Sequence, residues 1–439
     1  MKFLLILTIV VCACPVGYSQ SLLEKRFKVT VESEAVIEIK ASAPGSSWTV
    51  AGREAAAATV FVDRLRSQDW ILFGGEGDFT YKLMLGRVKP GEHEVKILVN
   101  SFQSAPQSRK IEIRDSRIRL LDRSDPEFAM VANAPVIYAR QNTIGKFTDI
   151  PLLIYCETIR NGSLTSLRYT MIFSNEDGGT QTSGLMSRWG RTTDIEWVIE
   201  TQIDEEGNPL KSIYQGVNHE TKNFKGQYEG DHPVMLVASD NNNFSDQGQT
   251  EMRFALTPVA ADLSRAPREH VMDLHPWTHT IMAQEMIREG KITDERTLGA
   301  KINDLRNYLY IDAGSTQQNG SAISFAVKLK NNPLWYTSDL GIGSYKIERS
   351  GYFRTSIRLP GRISIDQIEK IAARCDLPSS PKTREEVARA ATAFCEISSV
   401  DRVFLLDDSF HPGKSFSVRP SGAIKLLHGE MIELPIVIQ

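Results

Sequence analysis

The sequence predicts a mainly β protein, and three observations carry that prediction. Short stretches of alternating apolar and β-branched residues recur through most of the chain. Pro-Gly and Gly-Gly pairs punctuate them as turns. Helical periodicity appears only late, from Pro276 onward.

The first residues read as an export signal over 1–19. Met1-Lys2 precedes the apolar run Phe3 to Val11, and Gly17-Tyr18-Ser19 offers small residues for cleavage. At roughly a dozen residues that run is too short to span a bilayer, and no later run is long enough. The expected location is therefore exported: secreted, periplasmic or cell-surface. Of the five cysteines, Cys12 and Cys14 fall in the signal, and Cys156, Cys375 and Cys395 remain. Cys375 and Cys395 flank helix-like stretches at a separation that admits a disulfide, whereas Cys156 reads as a small buried apolar residue.

Residues 27–120 carry about seven strands in roughly ninety residues, including Val36–Ile39, Thr59–Val62, Tyr81–Leu85 and Val95–Val99. That density predicts an immunoglobulin-like sandwich, a module that commonly serves as a spacer. The polar stretch Asp122–Glu127 leads into a central β-sandwich over 126–300. Its strands are Leu167–Phe173, Ile195–Ile203, Ser212–Gln215 and Val234–Ala238, with a hairpin loop at 204–209. A helix is expected over 276–289, opened by Pro276 and stopped by Gly290. The remainder, 301–439, reads as a β-rich extension or domain with two helices, Ile365–Arg374 and Thr383–Ala393.

The formal charge of −3 is near neutral for 439 residues, and Lys and Arg are scattered. Nothing in it forms the basic footprint of a nucleic-acid binder. Nor does the chain carry a Gly-x-Ser-x-Gly elbow, a His-Glu-x-x-His pair or a phosphate loop.

Chemistry concentrates between Tyr169 and Asn243. In Asp194–Ile203, strict alternation sets Ile195, Trp197, Ile199, Thr201 and Ile203 on one face, and Asp194, Glu196, Glu200 and Gln202 on the other. Asp194 and Glu196 then stand roughly 6.5–7 Å apart at Cα, close enough for both carboxylates to reach one hard cation, Ca2+ or Mg2+. Such a face can equally be the solvated half of an amphipathic strand. The turn Asn175-Glu176-Asp177-Gly178-Gly179 adds candidate ligands in Glu176 and Asp177, and Asp240–Asn243 forms a third polar loop. His219 and His232 are candidate ligands or acid/base groups.

This block resembles the secreted necrosis-inducing cytolysin superfamily and its vacuolar-sorting-like relatives, over roughly residues 130–250. There, a strand ending in Lys-Asp leads to Gly-His-Arg-His-Asp-Trp-Glu and a further strand. Here Ser174–Asp177 takes the first place and Gly190–Glu196 the second, with Tyr214–His219 and His232-Pro233-Val234 following. The resemblance implies a β-sandwich holding one divalent cation, with Asp177, Asp194 and Glu196 as ligands. It also implies that the cation supports binding of a membrane glycolipid head group. Arg191 and Thr193 stand where the motif has histidines, and Ile195 where it has tryptophan.

Three functions follow as expectations. The first is a secreted or cell-surface binding protein with a divalent-cation site for glycan or lipid head groups. The second is an extracellular hydrolase using Asp194 and Glu196 with His219 or His232. The third is a structural surface protein.

Overall fold

The computed structural model describes residues 18–162, 164–176, 178–295, 298–379, 382–418 and 422–435. Of the expected export signal, residues 1–17 lie outside this set, as does Asp177. Among the described residues, strands dominate and no helix is long and apolar enough to cross a membrane.

Seven strands open the chain: β1 Tyr18–Val29, β2 Ser33–Ser42, β3 Ala57–Val62, β4 Leu65–Ile71, β5 Phe79–Val88, β6 Gly91–Asn100 and β7 Glu112–Leu121. They form two antiparallel sheets, β1-β6-β3-β4 and β5-β2-β7. Alternation aims Val95, Ile97 and Val99 of β6 inward against Ile37 and Ile39 of β2. In the immunoglobulin arrangement the first strand lies beside the second and the last beside the sixth. Here β1 lies beside β6 and β7 beside β2, so the outer strands have exchanged sheets.

This sandwich is no detached spacer. Its core runs on into Leu152, Phe254 and Ile281 of the central region. The indole nitrogen of Trp48 donates to Oε2 of Glu285 at 3.1 Å.

The central region contains α1 Phe128–Ala132, β8 Val136–Tyr138, β9 Pro151–Asn161, β10 Leu164–Phe173, α2 Thr182–Trp189, β11 Ile195–Ile203 and β12 Pro209–Gln215. Then come β13 Thr221–Asn223, β14 Tyr228–Glu229, β15 His232–Val237, β16 Phe244–Ser245, β17 Arg253–Phe254, β18 Val259–Ala260, α3 His270–Leu274 and α4 Trp277–Arg288. One sheet runs β13-β12-β11-β10-β9-β18 and the other β14-β15-β8-β17, with β16 on β15. Between them lies a core including Cys156, Tyr169, Met171, Phe173, Ile199 and Phe244. The outer face of the larger sheet is covered by α2, α3 and α4 through Tyr155, Ile172, Met186, Met272 and Met282.

A third sandwich follows: β19 Tyr308–Gln318, β20 Ala322–Leu329, β21 Trp335–Thr337, β22 Gly351–Arg358, β23 Ile368–Asp376, α5 Arg384–Ala390, β24 Phe394–Phe404, β25 Phe416–Val418, β26 Ile424–Leu427 and β27 Met431–Leu434. Its sheets run β22-β19-β24-β25, with β26 on β24, and β21-β20-β23-β27. Cys375 of β23 and Cys395 of β24 bridge the two sheets.

The expectation of two helices here needs correction. Most of Ile365–Arg374 is strand β23, paired to β20 from Ala322↔Asp376 to Leu329↔Ile368. Its apolar positions Ile368, Ile371 and Cys375 suit a helical period as well as an inward strand face. Pairing on both sides, with β20 and β27, overrides the local pattern. The second stretch is helical, and Thr383 caps α5 in a reciprocal box with Glu386.

Candidate functional site: a buried acid and amide cluster

The periodicity of β11 is broken once. Tyr169 pairs with Ile199, but the next residue, Thr170, pairs with Trp197, so Val198 is an extra residue forming a β-bulge. The bulge changes which face each residue takes. Ile195 packs outward beneath the helices, whereas Ile199 and Ile203 pack into the sandwich. Glu200 goes outward with Arg168, whose guanidinium it binds at 2.7 and 2.9 Å. Strict alternation from Asp194 to Ile203 is therefore corrected. Asp194 and Glu196 still share a face, opposite the inward-facing Phe173 and Met171, and there Asp194 is buried and Glu196 largely so rather than solvated.

At this end of the sandwich three loops close on the carboxylates. Asn242, 0% exposed, donates its amide to Oδ2 of Asp194 at 3.0 Å. Gln215 donates to Oε2 of Glu196 and, at 2.9 Å, to Nδ1 of His219. Nδ1 of His219 also stands 3.8 Å from Oε2 of Glu196, and the Asn241 amide meets Nε2 at 3.0 Å. Glu176 accepts from the Thr180 backbone at 3.0 Å. Asn218, His219 and Asn242 all hold left-handed backbone, with φ of 61°, 60° and 47°. Such strain persists only where surrounding contacts fix it, and it gathers at functional sites.

The glycine pair in the first loop permits this closure. At Gly179, φ is +86° and an added Cβ would lie 2.3 Å from Oδ1 of Asn241 and 3.1 Å from Oε1 of Glu176. Gly179→Ala is expected to cost about 1–2 kcal/mol for the left-handed backbone alone, and more for the displaced Asn241. Gly162, with φ +64° and nothing within 4 Å of its Cβ, supplies the control. Urea denaturation should find Gly179→Ala clearly the worse of the two; equal losses would remove the close approach as a cause.

Electrostatically the cluster carries an excess of acid. Burial, then the charge of Asp194, pushes Glu176 up to about 8. Burial, then the charge of Glu196, pushes Asp194 up to about 8, and burial raises Glu196 as well. Two guanidiniums oppose that rise, Arg191, itself buried and committed to Glu269 at 2.9 Å, and Arg268, which acts on Glu196.

Donor chemistry at the cluster fits a hard cation, since it presents carboxylate and amide oxygens. Oδ1 of the buried Asn242 has no hydrogen-bond partner within the protein. The arrangement is not a finished coordination sphere: among the described residues, no group of three or more His, Cys, Asp or Glu side chains is gathered to hold a metal ion.

Four of the expected residues therefore converge: Glu176, Asp194, Glu196 and His219. His232 does not. It is 3% exposed at the seam with the first sandwich, 2.9 Å from the Ala134 carbonyl and 3.1 Å from Oε2 of Glu34. Its place in this site is corrected to a structural one. Gln215, Asn242 and Arg191 complete the cluster and were not singled out by sequence; the run Asp240–Asn243 held the nearest signal, and it reads first as a turn.

No family model and no curated protein matches this chain. Among solved structures, NLPPya in complex with mannosamine is similar at 9% identity and a TM-score of 0.23, covering 32% of this chain and 73% of that one. NLPPya in complex with glucosamine is similar at 10% identity with the same score and coverage. Both belong with the necrosis-inducing-like proteins, and likeness at this level is a distant β-sandwich resemblance that carries nothing about ligand or site.

Proposed function

We propose that this is an exported binding protein that recognises glycan head groups at the acid and amide cluster, with Ca2+ or Mg2+ balancing its carboxylates. The observation that carries the reading is the crowding of buried Asp194 with largely buried Glu176 and Glu196 beside Arg191, which is already paired elsewhere, and beside the unpartnered oxygen of Asn242. Asp194, Glu196 and Asn242 would hold the cation, which would neutralise the cluster and fix the loops whose outer side chains meet the sugar. The rim supports the glycan class. Half-exposed His219 and part-buried Asn241 both donate and accept, as hydroxyls require, and the buried amides of Gln215 and Asn243 hold the His219 ring from behind. The Cys375–Cys395 disulfide supports an oxidising compartment. A hydrolase working through Asp194 has less support, because that carboxylate is 1% exposed and out of reach of a substrate bond.

The sign of the pH dependence tests the cation. Raised folded-state values mean that the folded protein keeps protons the unfolded chain releases. Without cation, stability should fall from about pH 4 to about pH 8 and then level off. Thermal melts in chelator should show that slope, millimolar Ca2+ or Mg2+ should cancel it, and Asp194→Asn should flatten it and abolish the response. A melt indifferent to both cations in wild type would sink the cation. Glycan-array binding lost on His219→Ala supports the rim; an array with no binding at any cation level would sink recognition of glycans.

A further inference from the structure

Strands β8 and β15 pair in parallel, with Tyr138 beside Leu236, so the segments that follow them leave the sheet side by side. Arg140 stands in the first segment and Asp240 in the second. Arg140 is buried, and its guanidinium binds both the buried Asp149 and Asp240, whose side chain is 70% exposed. Asn142 donates its amide to the same Oδ1 of Asp240 at 3.1 Å. The segment that carries the guanidinium is itself anchored. Thr143 donates its hydroxyl to the Arg140 carbonyl at 3.0 Å, and Arg288 donates to the Phe147 carbonyl at 2.7 Å. A surface carboxylate is thereby tied to a fixed, buried cation.

Asp240 opens the loop whose next three residues enter the acid and amide cluster. Asn241 meets Nε2 of His219, Asn242 donates to Asp194, and Asn243 reaches Nδ1 of His219 at 3.4 Å. The left-handed backbone of Asn242 lasts only where neighbours fix it. Within the loop, the backbone amides of Asn242 and Asn243 donate to Ser239 at 3.0 and 3.1 Å. From outside it, Arg140 and Asn142 hold Asp240, and Gly178 packs so closely that an added Cβ would lie 2.8 Å from Cβ of Asp240. We propose that Arg140 and Asp240 are positioning residues of this site, a role that rests on the proposed cation site. The guanidinium holds Asp240, and Asp240 holds Asn242 beside Asp194, where the cation would sit. Neither residue has to touch the ion, because groups one step removed from the ligands orient them.

Asp240→Ala separates this role from plain stability, and calorimetric titration of the full chain with Ca2+ or Mg2+ alone reads it. Cation affinity should fall roughly ten- to hundredfold, as when such a supporting partner is removed from other metal sites. Melting in chelator should move by no more than about 4 °C, because Arg140 keeps Asp149 and exposed pairs contribute little. In chelator, the Asn242 and Asn243 amides should exchange with solvent several times faster than in wild type, read by mass spectrometry. Asn142→Ala should move affinity and exchange in the same direction by less. Glu229→Ala, which cuts an exposed acid from Arg253 at the other end of β15, should leave cation affinity unchanged. Wild-type affinity in Asp240→Ala, or unaltered exchange there, would overturn the positioning role and leave the cation site standing. A wild type that binds neither ion would overturn both.

Discussion

Replacing Arg354 with methionine is expected to destabilise the protein by about 3–5 kcal/mol. Arg354, on β22, is 0% exposed. Its guanidinium binds Asp312 of β19 at 2.6 and 2.8 Å and Asp273 of α3 at 2.9 and 2.6 Å. Burial alone would raise Asp273, but the Arg354 charge, with hydrogen bonds from His279 and Arg354, outweighs it and holds that carboxyl far below the usual range. Methionine fills much of the space and leaves two buried carboxylates with Arg402 and, on Asp273, the imidazoles of His279 and His270. The size of the loss is the cost of stranding those charges, not the net worth of the pairs. Gly190 belongs to the same construction, since a Cβ there would lie 2.8 Å from Cγ of Arg354. Urea denaturation measures the effect, and a loss below about 1 kcal/mol would show that the network contributes little to holding the third sandwich against α3.

The second large effect is expected from the disulfide. Cys375 and Cys395 are 20 residues apart in sequence, and the loop they close should contribute about 3 kcal/mol, mainly by restricting the unfolded chain. The double replacement Cys375→Ser and Cys395→Ser should lower stability by that amount. Both sulfurs are fully buried between the sheets. Reductant should therefore leave the native protein untouched and act only once denaturant opens it. Reduction of the folded protein, followed by mass spectrometry of alkylated thiols, would contradict that burial.

Local pattern made the mainly β class legible, because strands such as Ile195–Ile203 carry β-branched and aromatic residues bounded by turn formers. The Asp204–Asn208 turn between β11 and β12 was legible for the same reason. The convergence of Glu176, Asp194 and Glu196 could be guessed from their density. What closes over them could not. Asn242 meets Asp194 across 48 residues, and its side chain is locally indistinguishable from that of any loop asparagine. His232 looked like a ligand because its partner, Glu34, is 198 residues away in another sandwich. Strand β23 was missed since its apolar spacing fits two periods, and only its neighbours decide between them.

The extra residue at Val198 makes the two halves of β11 a matter of parity. Counting from Asp194, even steps point into the sandwich before the bulge, and odd steps do so after it. One strand can thereby aim two carboxylates and two isoleucines into the same interior without a conflict of register. Removing a single residue between Glu196 and Ile199 would restore uniform counting. Acids and isoleucines would then still share the inward face, whereas inserting one residue beside the existing bulge would turn one set outward, so this short interval should tolerate a single deletion better than a single insertion.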